Sequence, residues 1–122
     1  MAPAPIENLL NVHPKVEMSL VSGAGQPAAF GLLVLAEHLR PQLADPAVRA
    51  EVERELGQLL VDVNAALALH QRLRMLVVAP EPWSIENGML TPTMKIRRPR
   101  IEAAVADQVQ RWYAQPGSVF WA

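Results

Sequence analysis

The sequence predicts a single α+β domain built around a small sheet of about three strands. Three segments have the apolar pattern of strands, three others carry apolar residues at helical spacing, and the two kinds are interspersed along the chain. With 122 residues, the chain is long enough for one hydrophobic core and too short for two. We therefore expect residues 1–122 to form one domain.

The predicted strands differ in their burial. Val16–Ser22 alternates apolar and polar residues, which is the pattern of a half-buried strand. Ala29–Ala36 is almost continuously apolar and predicts a central strand buried on both faces. Because Gly23–Pro27 between them has the composition of a turn, we expect the two strands to be neighbours. Leu73–Val78 is the third predicted strand, and Pro80 follows its end.

Three helices complete the predicted domain. Pro5–Val12 forms a short helix, because proline suits a first helical position and Pro14 prevents continuation. Pro46–Leu69 has its apolar residues on one stripe and Asp45 as its N-cap, so it is the one long amphipathic helix. Pro99–Ala114 is the last predicted helix.

Composition excludes several classes of function. Eleven basic and twelve acidic residues leave a net charge of -1, so no overall field attracts nucleic acid. The absence of cysteine excludes disulfides and thiolate sites, which suits a cytoplasmic protein. No apolar run approaches the ~20 residues that a transmembrane helix needs. His13, His38 and His70 lack a ligand pattern, so we predict surface or capping roles for them and no metal site.

The segment Glu81–Arg98 is predicted to be a long loop that carries function. Loops beyond about 12 to 15 residues in compact domains are usually functional or disordered. Apolar residues such as Trp83 argue against a disordered linker. Asn87–Gly88 is a turn signal, and Pro92 stiffens the approach to Lys95. Such a loop can hold one long side chain in a chosen direction.

Lysine is rare in this chain, which makes one lysine conspicuous. Lys15 and Lys95 are the only two, against nine arginines. Lys95 stands beside Arg97, Arg98 and Arg100, and a compact, flexible ammonium follows a moving charge better than a rigid guanidinium does. From the residues alone, a solvated basic face remains the alternative interpretation.

Two longer stretches of the chain resemble a known family. Residues 83–98, with the sequence WSIENGMLTPTMKIRR, are similar to the C-terminal signature of long-chain acyl-CoA synthetases, within the AMP-binding, adenylate-forming superfamily. Residues 2–27 are similar to the segment that follows the inter-domain hinge in the same family. The resemblance therefore extends over nearly the whole chain.

The resemblance implies a part in a two-step reaction. A fatty acid first attacks the α-phosphate of ATP, with Mg²⁺ present, to give acyl-adenylate and pyrophosphate, and CoA then displaces AMP. In the family, a large N-terminal adenylation domain binds ATP and the acyl chain, and the small domain closes over it in two orientations. By resemblance, the chain is identified as the C-terminal lid domain of a long-chain fatty acid–CoA ligase.

The resemblance also implies roles for individual residues. Lys95 corresponds to the adenylation lysine, which reaches the carboxylate and phosphate oxygens in the first step. The supporting loop and motif residues are Gly88, Thr91, Pro92, Thr93 and Arg98. Glu7 matches a glutamate that we predict to be structural rather than catalytic. The residues that contact CoA are not predicted.

The expected organisation leaves alternatives open. The hinge, phosphate-binding loop and acyl pocket would lie outside these 122 residues, so we expect the chain alone to bind no cofactor and to be inactive. One alternative is a stand-alone interaction module, which could pair two copies through an exposed apolar face. Another is the lid of an acyl-AMP ligase that serves a carrier protein. We expect a cytoplasmic location, either free or peripheral to a membrane, and make no prediction of acyl chain length.

Overall fold

The chain folds into a four-stranded sheet with helices on both faces, as a computed structural model describes it for residues 3–23 and 26–122. The elements in chain order are α1 (Pro3–Asn11), β1 (Val16–Ser22), β2 (Ala29–Leu35), α2 (Pro46–Ala65), β3 (Leu73–Val78), α3 (Arg98–Ala114) and β4 (Val119–Trp121). The predicted α+β class is confirmed. Residues 24 and 25 of the predicted turn at 23–27 lie outside the described residues.

The sheet is mixed, with the strands in the order β1-β2-β3-β4. β1 and β2 are neighbours, as predicted, and they run antiparallel, whereas β2, β3 and β4 run parallel to one another. Parallel neighbours need a crossover connection, and here α2 connects β2 to β3 while the long loop and α3 connect β3 to β4. The long loop therefore starts at the carboxyl end of a central strand.

The prediction of three strands misses β4. Val119–Trp121 is too short to show an alternating pattern, so periodicity cannot reveal it. Its pairing with β3 is defined by the partners Leu76 and Val119 and, two residues on, Val78 and Trp121.

The two faces of the sheet carry separate apolar clusters. One cluster includes Leu10 of α1 and Leu56 of α2, and the other includes Trp112 of α3. Because successive strand residues point to opposite faces, Leu32 and Leu33 enter different clusters. All seven residues of β2 are buried, which confirms the prediction of a central strand.

The structure ends α2 at Ala65, before the predicted Leu69. Asn64 provides the reason, because its side-chain NH2 donates to the Leu73 carbonyl (2.9 Å) and its oxygen accepts from the Leu73 N–H (2.8 Å). These bonds join the last helical turn to the first residue of β3, so the chain must leave the helix there. A short 3₁₀ helix at Leu69–Gln71 makes the connection.

Other helix ends differ from the predictions by one or two residues. α1 spans Pro3–Asn11 where Pro5–Val12 is predicted, and α3 begins at Arg98 where Pro99 is predicted. Differences of this size are ordinary at helix ends, where the last turns fray. In the described ranges, no helix is both long and apolar enough to cross a membrane.

Aromatic residues attach α3 to the sheet. Trp112 contacts the ring of Phe30 edge-on at a centroid distance of 6.3 Å. The Tyr113 hydroxyl donates to the Ala28 carbonyl, and burial raises the pKa of Tyr113 although Arg74 opposes this shift. Tyr113 therefore remains a neutral donor at neutral pH.

The three tryptophans are buried to different degrees. Trp83 and Trp112 are each 5% exposed and belong to the apolar cluster beside α3. Trp121 is only half-buried, because β4 lies at the sheet edge, and the Arg49 guanidinium lies 4.1 Å from its ring centroid.

Candidate active-site loop

The segment between β3 and α3 divides into two parts. We define residues 82–90 as the loop base and residues 91–95 as the loop tip. The loop base carries Trp83 and Leu90, which are 5% and 3% exposed and belong to the apolar cluster beside α3. The segment is therefore anchored in the core, as the apolar residues of the predicted loop suggest.

Asn87 joins the loop base together. Its side-chain oxygen accepts from the N–H groups of Ser84 (3.0 Å) and Met89 (3.1 Å), and its NH2 group donates to the Pro82 carbonyl (2.9 Å). The Ser84 hydroxyl in turn accepts from the Asn87 N–H (3.2 Å). All four bonds connect residues close in the chain, so the loop base holds its own shape.

Both the backbone conformation and the close approach of Arg100 require a glycine at position 88. Its φ of +79° lies in the left-handed region that glycine adopts at little cost. A Cβ at this position would lie 3.0 Å from a guanidinium nitrogen of Arg100. The predicted turn at Asn87–Gly88 is present, since the Gly88 N–H donates to the Ile85 carbonyl (3.1 Å). Gly88 thus lets Arg100 lie across the loop base.

The loop tip is a three-residue hairpin turn. Leu90 and Ile96 form an antiparallel bridge beneath it, and the Thr91 N–H donates to the Lys95 carbonyl (2.8 Å). The Met94 N–H donates to the Thr91 carbonyl (2.8 Å), and Met94 has a φ of +65°. A left-handed third residue is typical of three-residue hairpin loops.

The predicted supporting residues of the loop tip all belong to this turn. The Thr91 hydroxyl accepts from the Lys95 N–H (3.1 Å) and lies 3.0 Å from the Thr93 hydroxyl. Pro92 occupies the first position of the turn, where a proline ring already has the required φ. Thr91 therefore holds both backbone groups of Lys95, the N–H through its hydroxyl and the carbonyl through its own N–H.

Lys95 presents a free ammonium group at the loop tip. Its side chain is exposed, and across residues 3–23 and 26–122 the ammonium has no hydrogen bond or ion pair. Lys15, the other lysine, is half-buried and pairs with Glu55. The two lysines thus differ in availability, and Lys95 is the one that can meet an external anion.

Arg98 lies at the start of α3 and makes internal contacts. Its guanidinium donates to the Val21 carbonyl (2.8 Å) and to the Glu7 carboxylate (3.1 Å). That carboxylate also accepts from the Val21 N–H (2.7 Å). The clamp of Glu7, Val21 and Arg98 therefore joins α1, β1 and α3, so both charged residues have structural contacts.

The surface beside the loop tip is basic. A shallow groove of about 590 Å³ has no acidic residue in its lining, which consists of Thr91, Ile96, Arg97, Arg98, Pro99, Arg100 and Ala103. Arg97 and Arg100 are exposed, like Lys95. The local positive charge suits contact with an anionic group although the whole chain is nearly neutral.

The histidines are dispersed over the structure. His13 Nδ1 accepts from the Lys15 N–H (3.1 Å), a capping contact, while His38 and His70 are exposed. In the part of the chain that the structure describes, no group of three or more His, Asp or Glu side chains could hold a metal ion.

Two features of the site are absent from the sequence predictions. The left-handed conformation of Met94 has no side-chain signature, although apolar residues on both sides of a proline turn could have indicated a hairpin. The partnership of Glu7 with Arg98 spans 91 positions, and no local pattern can reveal such a contact.

Residues 1–116 match a family model described as the AMP-binding enzyme C-terminal domain. The chain belongs to this family. This C-terminal domain is 38% identical over 79 residues to the peroxisomal long chain acyl-CoA synthetase 7 of Arabidopsis thaliana, covering 65% of the domain and 11% of that protein. It is 22% identical over 125 aligned residues to a long-chain-fatty-acid–CoA ligase of Mycobacterium tuberculosis, covering 93% of the domain and 21% of that protein.

Solved structures share the fold of this AMP-binding enzyme C-terminal domain. The adenylation domain of a carboxylate reductase from Mycobacterium chelonae has a TM-score of 0.70 at 21% identity, over 92% of this chain and 18% of that chain. An acyl-CoA synthetase from Brucella canis has a TM-score of 0.58 at 23% identity, over 90% of this chain and 18% of that chain. The chain thus spans about a fifth or less of these proteins and of the two relatives above.

Proposed function

We propose that the chain is the C-terminal lid of an ATP-dependent long-chain fatty acid–CoA ligase, and that Lys95 serves acyl-adenylate formation. The observation that carries the proposal is the exposed, unpaired ammonium of Lys95 on a hydrogen-bonded hairpin turn within the described residues. The names of the two relatives support the choice of long-chain fatty acids and CoA.

Electrostatic stabilisation is the chemistry that Lys95 would provide. When the fatty acid carboxylate attacks the α-phosphate of ATP, negative charge increases on the phosphoryl oxygens. A cation that is already aimed at those oxygens needs no reorganisation, and one such group accelerates a reaction about 10²- to 10³-fold. An amine retained by a neighbouring carboxylate, as Lys15 is by Glu55, could not serve in this way.

The other components of the reaction would belong to the large N-terminal adenylation domain. That domain would hold ATP, the acyl chain and the Mg²⁺ ion, because the described residues of the lid offer no cluster of carboxylates for a metal. The lid would therefore act only when it closes over its partner, and alone it would be inactive. The cytoplasmic location remains a prediction from the sequence.

The test is to replace Lys95 with Ala in the complete enzyme, the lid joined to its adenylation domain, and to measure the two half-reactions separately. Release of pyrophosphate should slow by about 10²- to 10³-fold. Formation of acyl-CoA from supplied acyl-adenylate should remain unchanged, since the ammonium serves only the first step. An equal loss in both half-reactions would contradict the proposal.

Lys15→Ala is the matched control, because it removes the only other lysine of this chain. It breaks the contact with Glu55 on the side of the sheet that faces α2 and should leave both half-reactions near their normal rates. If Lys15→Ala slows pyrophosphate release as much as Lys95→Ala does, the effect is one of overall charge or folding.

The same assay separates the alternative acceptors. With acyl-adenylate supplied, the second half-reaction can be offered CoA or a carrier protein, and we expect CoA to be used. A stand-alone interaction module would instead show no adenylation with any partner domain. Sizing chromatography of the 122-residue chain would detect pairing of two copies.

A further inference from the structure

Met94, the residue before Lys95, has an unusual backbone conformation. Its φ is +65°, and no other residue besides glycine has a positive φ within residues 3–23 and 26–122. This left-handed region is unfavourable for L-residues because Cβ approaches the following carbonyl oxygen. Such conformations persist only where the surrounding structure imposes them, and they cluster at functional sites.

Side-chain packing does not explain the conformation of Met94. The side chain is 60% exposed and belongs to neither apolar cluster of the described structure. The constraint is instead in the backbone, where the Met94 N–H donates to the Thr91 carbonyl and the Thr91 N–H donates to the Lys95 carbonyl, both at 2.8 Å. Three-residue turns that are closed by such bonds classically have a left-handed third residue, which here is Met94.

The direction of Lys95 follows from this turn. If residue 94 took a right-handed or extended conformation, the bond from Thr91 to the Lys95 carbonyl would be lost and the backbone of Lys95 would rotate. The Thr91 hydroxyl, which accepts from the Lys95 N–H (3.1 Å), would lose its partner too. A long flexible side chain then starts from a different place and points in a different direction.

We propose that Met94 is a positioning residue whose left-handed backbone directs the Lys95 ammonium towards the adenylation site. The proposal rests on the function proposed above for Lys95. It assigns the role to the backbone of Met94 rather than to its thioether side chain. Residues that accept a left-handed conformation should therefore replace Met94, and residues that reject it should not.

The experiment compares Met94→Ile with Met94→Leu in the complete enzyme. Both side chains are apolar and equal in size, but branching at Cβ makes the left-handed region far less accessible to isoleucine. We expect Met94→Ile to reduce kcat for acyl-adenylate formation by about tenfold or more, because a displacement of about 1 Å can cost 10²-fold. Met94→Leu should stay close to the unchanged enzyme.

Two further variants separate the backbone from the side chain. Met94→Gly and Met94→Asn remove the thioether but tolerate positive φ, so both should retain adenylation within a few-fold. The KM for ATP should change little in all four variants, and the rate of CoA transfer from supplied acyl-adenylate should be unaffected. Loss of CoA transfer in Met94→Ile would reveal a general structural defect and would overturn the proposal.

Other outcomes also decide the question. Equal rates for Met94→Ile and Met94→Leu would overturn the role of the backbone, and so would a loss in Met94→Gly as large as in Met94→Ile. Adding Met94→Ile to Lys95→Ala should cause no further loss, since no ammonium remains to be directed. If Lys95→Ala itself adenylates normally, the proposed function fails, whereas a slow Lys95→Ala with equal Ile and Leu variants refutes only the positioning role.

Discussion

The loop base and the loop tip are adjacent in the chain but differ in what holds them. The loop base buries Trp83 and Leu90 and satisfies its polar groups through Asn87. The loop tip buries no side chain, and hydrogen bonds between Thr91 and the nearby residues Met94 and Lys95 hold its shape. Stability therefore resides in the loop base, and the exposed reactive group resides in the loop tip.

This division has a physical consequence for substitutions. A change in the loop tip removes no core contact, so it should alter chemistry with little effect on the free energy of unfolding. A change in the loop base removes buried contacts and should affect stability and both half-reactions together. Substitutions in the loop tip and in the loop base should therefore separate chemistry from stability.

Lys95→Glu should have the largest effect on activity. A carboxylate at the loop tip would repel the fatty acid and the phosphates, so acyl-adenylate formation should slow by on the order of 10³-fold or more. The free energy of unfolding of the chain should not change, because the ammonium has no partner among the described residues. Pyrophosphate release and urea unfolding measure the two quantities. A large loss of stability would contradict the separation.

Asn87→Ala should have the largest effect on stability. It leaves the Ser84 N–H without its acceptor and the Met89 N–H with only the Ser84 carbonyl, and a partly buried group left unpaired costs about 1 to 3 kcal/mol. Urea unfolding of the chain should show this loss, and both half-reactions of the complete enzyme should fall alike. Asn87→Asp keeps the acceptor oxygen and should lose less. Unchanged stability in Asn87→Ala would refute the role of the loop base.

Arg98→Met should destabilise the chain by about 1 to 2 kcal/mol, since it removes bonds to Val21 and Glu7. The expected loss of stability is moderate because about a third of the Arg98 side chain remains exposed to solvent (36%). Glu7→Gln is the companion variant, and the two effects should not be additive if both act through one clamp. Urea unfolding measures the loss of stability in the two single variants and in the double variant. If the two single losses add fully in the double variant, Glu7 and Arg98 do not act through one clamp.

Thr91→Val should have the smallest effect. It removes the hydroxyl that accepts from the Lys95 N–H, while the backbone bonds of the turn remain. Because the group is partly exposed, we expect about 0.5 kcal/mol or less in stability and a loss of only a few-fold in adenylation. Thr91→Ser keeps the hydroxyl and should behave normally. A loss as large as that of Lys95→Ala would mean that the threonine itself takes part in the chemistry.

The sequence predicts much of the fold because burial leaves clear patterns in it. β2 is apolar throughout since both faces of the sheet are covered, and α2 shows its buried stripe at helical spacing. β4 escapes prediction because three residues cannot display a period. The end of α2 escapes it because the deciding bonds join Asn64 to Leu73 in another element.

The candidate site is predictable in its residues but not in its geometry. Lys95 and the threonines of the loop tip are identified through a motif that can be read in the sequence. The left-handed conformation of Met94 follows from backbone bonds inside the turn, which its side chain does not signal. The free state of the ammonium and the clamp at Arg98 depend on how distant segments pack, so no local pattern contains them.

In the proposed function, the free ammonium of Lys95 meets the substrates of the first half-reaction. Chemical labelling of lysine amines in the complete enzyme tests this directly, with and without fatty acid and ATP, and Lys15 serves as the internal reference. We expect labelling of Lys95 to fall several-fold when both substrates are present while labelling of Lys15 stays constant. Unchanged labelling of Lys95 under conditions in which acyl-adenylate accumulates would contradict it.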